Sequence, residues 1–297
     1  MTADVAAASS AARDVFAAAD AQLGFSLSEL CFQGPQERLN ETDISQPAMF
    51  VCAVATLAAM RQNLGEKMPQ ATMMAGLSLG EYTALHAAGA MSFEAALNLV
   101  ACRGRLMQQA ALAAPSGMVS VMGLDEAKVR ELCAAAAQGA VLVPANFNAP
   151  GQIVISGDLQ ACARAAELAK SFGASGAMAL KVAGAFHSPF MQPAADQLGT
   201  VMAQTAMLAP ATTVIANVDA RPHGEAQSIK SKLVDQVTSP VRWEQSIRYM
   251  LDNGVSQFYE IGSGKVLAGL MRRIERRANI VSVNSAEALA SLSAATA

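Results

Sequence analysis

Three side chains far apart in the sequence have the chemistry to handle an acyl group together: Ser78, His187 and Arg103. Ser78 is the centre of Gly76-Leu77-Ser78-Leu79-Gly80, which fits G-x-S-x-G, the pattern in which a sharp strand-to-helix turn holds a serine outward as a nucleophile. The setting suits it, because the apolar run "ATMMAGL" (71–77) comes before and the helix-forming "EYTALHAA" after. Such a turn leaves no room for side chains two residues to either side, hence glycine at 76 and 80. It also puts the serine at a helix N-terminus, where the dipole and the amide of Leu79 favour a developing oxyanion. The same residues equally fit a plain glycine turn whose serine caps the next helix.

A serine nucleophile needs a base, and the chain has three histidines. His86 lies two helical turns beyond Ser78, roughly 12 Å of rise, too far to share a proton, and reads as a surface or packing residue. His223, in "ARPHGE", sits in a polar turn and is expected to be solvated. His187, in "VAGAFHSPFM", follows the last strand of a small insert, where the chain re-enters the larger unit across a cleft. Beside Phe186 and Phe190 it could also be a satisfied core residue. No acid stands out as a third member, and Asp196, Asp219 and Asp235 all fit by order along the chain.

Arg103 has Leu99 and Val100 at i−4 and i−3 and Leu106 and Met107 at i+3 and i+4, so it stands on the apolar stripe of its own helix. A buried guanidinium demands an anion. That anion is either a buried carboxylate of the protein or a group brought by the substrate and clamped by two parallel hydrogen bonds. Arg105 lies on a more polar face and reads as surface charge. "IGSGKVL" (261–267) is no P-loop, since Tyr259 stands where the first glycine belongs and Val266 follows the lysine; a strand-to-helix turn shaping the cleft fits better. "MRRIERRAN" (271–279) puts Arg272, Arg273, Arg276 and Arg277 on successive turns of an expected helix, a solvated face open to an acidic partner.

The elements that must position these groups follow from periodicity. Residues 47–64 and 92–114 carry long helical apolar patterns on either side of the serine turn. From 117 to 184 the rhythm becomes β-α-β-β-α-β: "MVSVMG", a helix from Asp125 to Gln138, "AVLVPANF", "GQIVISG", a helix from Leu159 to Phe172, and "AMALKVAG". After it come "TTVIANV" (212–218), helices near 226–237 and 243–252, "VSQFYEIG" (255–262) and a final helix from about 265. The expectation is an α/β fold in which a mainly parallel sheet receives a ferredoxin-like insert.

The 297 residues are 53% hydrophobic, core enough either for one large domain or for one domain carrying a smaller one. Charged residues interrupt the apolar stretches, so no membrane span is expected. A net charge of −3 makes a nucleic-acid surface no property of the whole chain. Cys31, Cys52, Cys102, Cys133 and Cys162 are odd in number and widely spaced, and read as reduced, buried thiols of an intracellular protein.

In order and spacing, "GPQERLNETDISQPA" (34–48), "GLSLGEYTALHAAGA" (76–90), "RGRLMQ" (103–108), "NFNAPGQIVISG" (146–157), "VAGAFHSPFMQPA" (182–194), "QVTSPVRWEQSI" (236–247) and "YEIGSGKVLAG" (259–269) resemble the malonyl-CoA:acyl carrier protein transacylases, most closely the plant and cyanobacterial-like branch. The resemblance implies an α/β-hydrolase-like domain from 1–115 and 186–297 around a ferredoxin-like subdomain from 116–185. It implies Ser78 as acyl acceptor, His187 as base, Arg103 on the malonyl carboxylate and Gln46 beside them. It further implies Asn146 on the cleft wall, the Leu79 amide as oxyanion donor, the Gln236 carbonyl orienting His187, and Phe186 as a mark of malonyl selectivity. Relatives open with a strand and "GQGAQ", whose glutamine supplies another oxyanion amide; no such segment precedes "AARDVFAAADAQLG", so a shortened sequence or an impaired protein is expected on that count.

The implied reaction carries malonyl from malonyl-CoA to the phosphopantetheine thiol of acyl carrier protein, for fatty acid or polyketide synthesis. No metal or redox cofactor is expected, nor nucleic acid or membrane as partner. A cytoplasmic monomer is expected, or a stromal one if the source is a plant or alga. The competing readings are a serine esterase of related fold and a catalytically weakened carrier-protein-binding homologue.

Overall fold

The structure, a computed structural model, describes residues 1–295. Its strands are β1 (Met73–Met74), β2 (Ser116–Met122), β3 (Leu142–Ala149), β4 (Gln152–Asp158), β5 (Gly176–Ala179), β6 (Thr213–Val214), β7 (Gln257–Ile261) and β8 (Asn279–Val283). The parallel pairings fall in two pieces, β1 with β6 and β7 with β8. Both lie among helices, with the Thr42–Leu64 and Phe93–Ala113 helices at the centre of the largest core. By length and composition the stretch Thr42–Lys67 is apolar enough to cross a bilayer, against the expectation that charged residues interrupt every such stretch. Here 72% of its most apolar window is buried inside the protein, as befits a central core helix.

Strands β2 to β5 form one antiparallel sheet in the order β3-β4-β2-β5, with the Glu126–Ala137 and Leu159–Leu168 helices as its crossovers. That is the ferredoxin-like order expected of β-α-β-β-α-β. Both helices start at an aspartate whose carboxylate accepts from first-turn amides: Asp125 from Lys128 N, Asp158 from Gln160 N and Ala161 N. The sheet has its own apolar core, in which Val121, Leu132 and Ile155 are fully buried. An isolated bridge from Asn146 to Val241 ties it to the rest.

The C-terminal region departs from expectation. The helix Val266–Ile274 stops at Ile274, so Arg276 and Arg277 lie beyond it in a turn, although all four arginines are exposed. The following residues turn back into β8 and then the Ala286–Ala295 helix. The cause is tertiary: "NIVSV" pairs in parallel along the whole of β7, an outlet no local pattern reveals.

Candidate active site

Ser78 stands between β1 and the Leu79–Ala87 helix with φ 53° and ψ −105°. Gly76 makes the turn feasible, because a Cβ there would lie 2.0 Å from the carbonyl carbon of Gly80. Gly80 itself faces open space, so the steric argument holds at 76 and not at 80. The serine precedes the helix without capping it: its hydroxyl makes no cap hydrogen bond. Instead Oγ lies 2.9 Å from His187 Nε2 and 2.9 Å from an Arg103 terminal nitrogen. The amide of Leu79 belongs to the first turn of the helix, where N–H groups have no intrahelical acceptor.

His187 is held by the antiparallel sheet. The Ser156 hydroxyl on β4 donates to the Phe186 carbonyl at 2.6 Å, Ser116 on β2 accepts from the Ala185 amide at 3.1 Å, and Ser188 donates to the Ala185 carbonyl at 2.6 Å. These bonds fix a loop in which His187 itself takes φ 56°, a left-handed conformation that must be imposed from outside. Its Nδ1–H donates to the main-chain oxygen of Gln236 at 2.7 Å. That carbonyl is free because Gln236 lies in the last turn of the Ala226–Thr238 helix. None of Asp196, Asp219 and Asp235 contacts the ring; Asp196 pairs with Gln192 and Asp219 with Lys232. Burial, then the charge of Arg103, push the imidazole down to about 4 against the pull of the Gln236 and Ser239 carbonyls. The ring is therefore neutral at pH 7, with Nε2 free to accept the serine proton.

Arg103 is fully buried. Gly104 beside it lets two helices close, for a Cβ there would meet the Thr42 carbonyl at 2.8 Å and Gln46 Cβ at 3.4 Å. One terminal nitrogen of Arg103 donates to Gln46 Oε1 at 2.5 Å; the other reaches Ser78 Oγ and Gln236 Oε1, the latter at 3.0 Å. The guanidinium carbon lies 5.4 Å from the Tyr82 ring centre. Among the described residues no carboxylate pairs with it directly, and its Nε has no partner. Burial lowers its proton affinity, yet a guanidinium stays charged.

Phe186 is half-buried next to His187 and packs against both the large core and the sheet. Asn146 is buried on β3, and among the described residues no side-chain hydrogen bond joins it to Ser78, His187 or Arg103. His86 packs between Phe50 and Phe93 while its Nδ1 meets the Met91 carbonyl at 3.1 Å. The expectation of a solvated His223 is overturned: the ring is buried, with Nε2 2.7 Å from Glu81 Oε1. Its polar flanks lie on a turn that folds back, the His223 amide donating to Val214 on β6. "IGSGKVL" is a strand-to-helix turn packed on Ala53.

A family model described as "Acyl transferase domain" matches residues 1–290. The malonyl CoA-acyl carrier protein transacylase of Escherichia coli K12 is 41% identical over 98% of this chain and 93% of that relative. The chain belongs to the malonyl-CoA:acyl carrier protein transacylase family. The solved transacylase of Coxiella burnetii superposes with a TM-score of 0.94 at 39% identity, covering 98% of this chain and 92% of that one. A malonyl-transacylase solved in complex with a type II polyketide synthase acyl carrier protein gives 0.92 at 39% identity, over 97% and 93%. The transacylase fold thus spans the chain, the antiparallel sheet included.

Two polar residues of this transacylase, Asn217 and Glu81, and the side-chain role of Gln236 escaped the sequence reading. Asn217 at the end of "TTVIAN" accepts from the Ser78 amide at 2.6 Å and donates to the Gly76 carbonyl at 2.8 Å, bracing the turn on both sides. Glu81 is fully buried beneath it, and the Gln236 side chain links the two to Arg103. Among the described residues no group of three His, Cys, Asp or Glu side chains could hold a metal ion.

Proposed function

We propose that the chain transfers malonyl from malonyl-CoA to the phosphopantetheine thiol of acyl carrier protein through a malonyl ester on Ser78. Ser78 Oγ attacks the thioester carbonyl as its proton passes to His187 Nε2. The Gln236 carbonyl, at the negative end of a helix, holds Nδ1–H and favours the imidazolium that forms. The Leu79 amide receives the oxyanion. Collapse breaks the carbon–sulfur bond, and the CoA thiolate leaves with the proton from His187. In the second half the carrier thiol gives its proton to His187, its sulfur attacks the ester, and Ser78 regains its hydrogen. No metal or redox group enters either half.

The observation that carries this reading is the guanidinium 2.9 Å from the nucleophile. An acyl group on Ser78 with a carboxylate two bonds beyond its carbonyl carbon places that anion against Arg103, which can exchange its contacts with Gln46 and Ser78 for it. An acetyl group leaves the guanidinium without that partner. The "GLSLGEY" form of the motif supports the plant and cyanobacterial-like branch. Intact-protein mass spectrometry after mixing with malonyl-CoA tests the reading. A malonyl adduct that vanishes in Ser78→Ala and is discharged by holo carrier protein is expected; no adduct, or one that only water removes, contradicts it.

A further inference from the structure

The carboxylate of Glu81 is fully buried one turn below the nucleophile and has no Lys or Arg partner among the described residues. It accepts from three donors: His223 Nε2 at 2.7 Å, Gln236 Nε2 at 2.8 Å and the Asn217 amide at 2.9 Å. Two of those donors reach the reacting groups. Gln236 Nε2 also donates to the Ser78 carbonyl at 3.0 Å, its Oε1 accepts from Arg103 at 3.0 Å, and its main-chain oxygen holds His187. Asn217 braces Ser78 and Gly76.

An amide can face Arg103 with either end, and only its oxygen can accept from a guanidinium. Glu81 Oε2 accepts from the Asn217 main-chain amide, so Glu81, together with the Ser78 carbonyl, presents an acceptor to Gln236, draws its NH2 end and thereby turns the oxygen toward Arg103. A direct Glu–Arg pair would fill the guanidinium fork. One interposed amide keeps the carboxylate off the guanidinium, whose terminal nitrogens rest on the neutral acceptors Gln46, Ser78 and Gln236 that an incoming anion can displace.

From this we infer that Glu81 is a positioning residue that, through Gln236, orients Arg103 and so sets the preference for acyl groups ending in a carboxylate. The inference rests on the proposed role of Arg103. Its test is Glu81→Gln, which keeps the shape but lets residue 81 donate and Gln236 reverse. The rate of acyl-Ser78 formation is measured with malonyl-CoA and with acetyl-CoA, beside Arg103→Ala. The malonyl-to-acetyl ratio is expected to fall at least about ten-fold in Glu81→Gln, the effect of misdirecting one charged hydrogen bond. A role confined to holding the fold lowers both rates alike, and an unchanged ratio overturns the inference. If Arg103→Ala loses the preference while Glu81→Gln keeps it, the inference fails and the role of Arg103 stands; if Arg103→Ala keeps it, both fail. Should Glu81→Gln not fold, Gln236→Met cuts the same link while retaining the main-chain carbonyl, and the same ratio decides.

Discussion

The antiparallel sheet and the serine turn are built on opposite plans. The sheet and its two helices bury Val, Leu, Ile, Ala and Cys side chains, and their buried polar side chains are Ser120, Asn146 and Ser156. Around Ser78 the buried groups are Gln46, Glu81, Arg103, His187, Asn217, His223 and Gln236. Apolar packing contributes stability wherever it occurs, whereas buried polar groups are tolerated only when nearly every one is paired. The difference teaches where each property resides: stability is spread through the sheet, and chemistry is concentrated in one bonded cluster. Ser116 and Ser156 are the sheet's direct hold on that cluster, through the loop of His187.

Substitutions in the two regions should therefore separate activity from stability. The largest expected effect is Ser78→Ala, with malonyl transfer lowered about 10⁴-fold or more and the melting temperature little changed. On the other side, Leu132→Ala in the sheet's core should cost about 2–5 kcal/mol of stability in denaturant unfolding. Its kcat/KM per folded molecule should match the parent, and a loss there would break the contrast. The buried His187 adds a pH test. Its folded value of about 4 lies below the 6.5 of an unfolded histidine, so between these pH values the unfolded chain binds the extra proton. Stability should fall as pH drops through that window, by about 3 kcal/mol in full. In His187→Gln unfolding curves that share of the slope should be missing. In the parent, the acid limb of kcat/KM should lie well below pH 6.5. The smallest effect is expected from Ser156→Ala, which frees the Phe186 carbonyl: roughly a ten-fold loss of kcat, a hydrogen bond's worth, with modest loss of stability. An unchanged kcat would show that the sheet does not position His187.

Much of this was legible in the sequence because the governing physics is local. The glycine-framed turn, the β-α-β-β-α-β rhythm and the apolar neighbours of Arg103 are all patterns within a few residues. Glu81 was open to the same test as Arg103, since Leu77 and Leu85 stand four residues to either side of it. Its S-x-x-E spacing from Ser78 imitates a capping box, which hides a carboxylate that turns inward. His223 could not be read, because its burial depends on Glu81 from 142 residues away in the chain. The strand β8 was hidden for the same reason, its partner being β7 and not its own neighbours.

The central claim is that Ser78 is acylated by a group whose carboxylate Arg103 holds. Equimolar malonyl-CoA and acetyl-CoA offered together to the parent and to Arg103→Ala, with the acyl-Ser78 products resolved by rapid-quench mass spectrometry, test it most directly. The parent should carry malonyl almost exclusively, and the variant should lose that preference about 100-fold or more, as when one partner of a buried charged pair is removed. A preference that survives the loss of the guanidinium, or an acyl group found on a residue other than Ser78, would contradict the account.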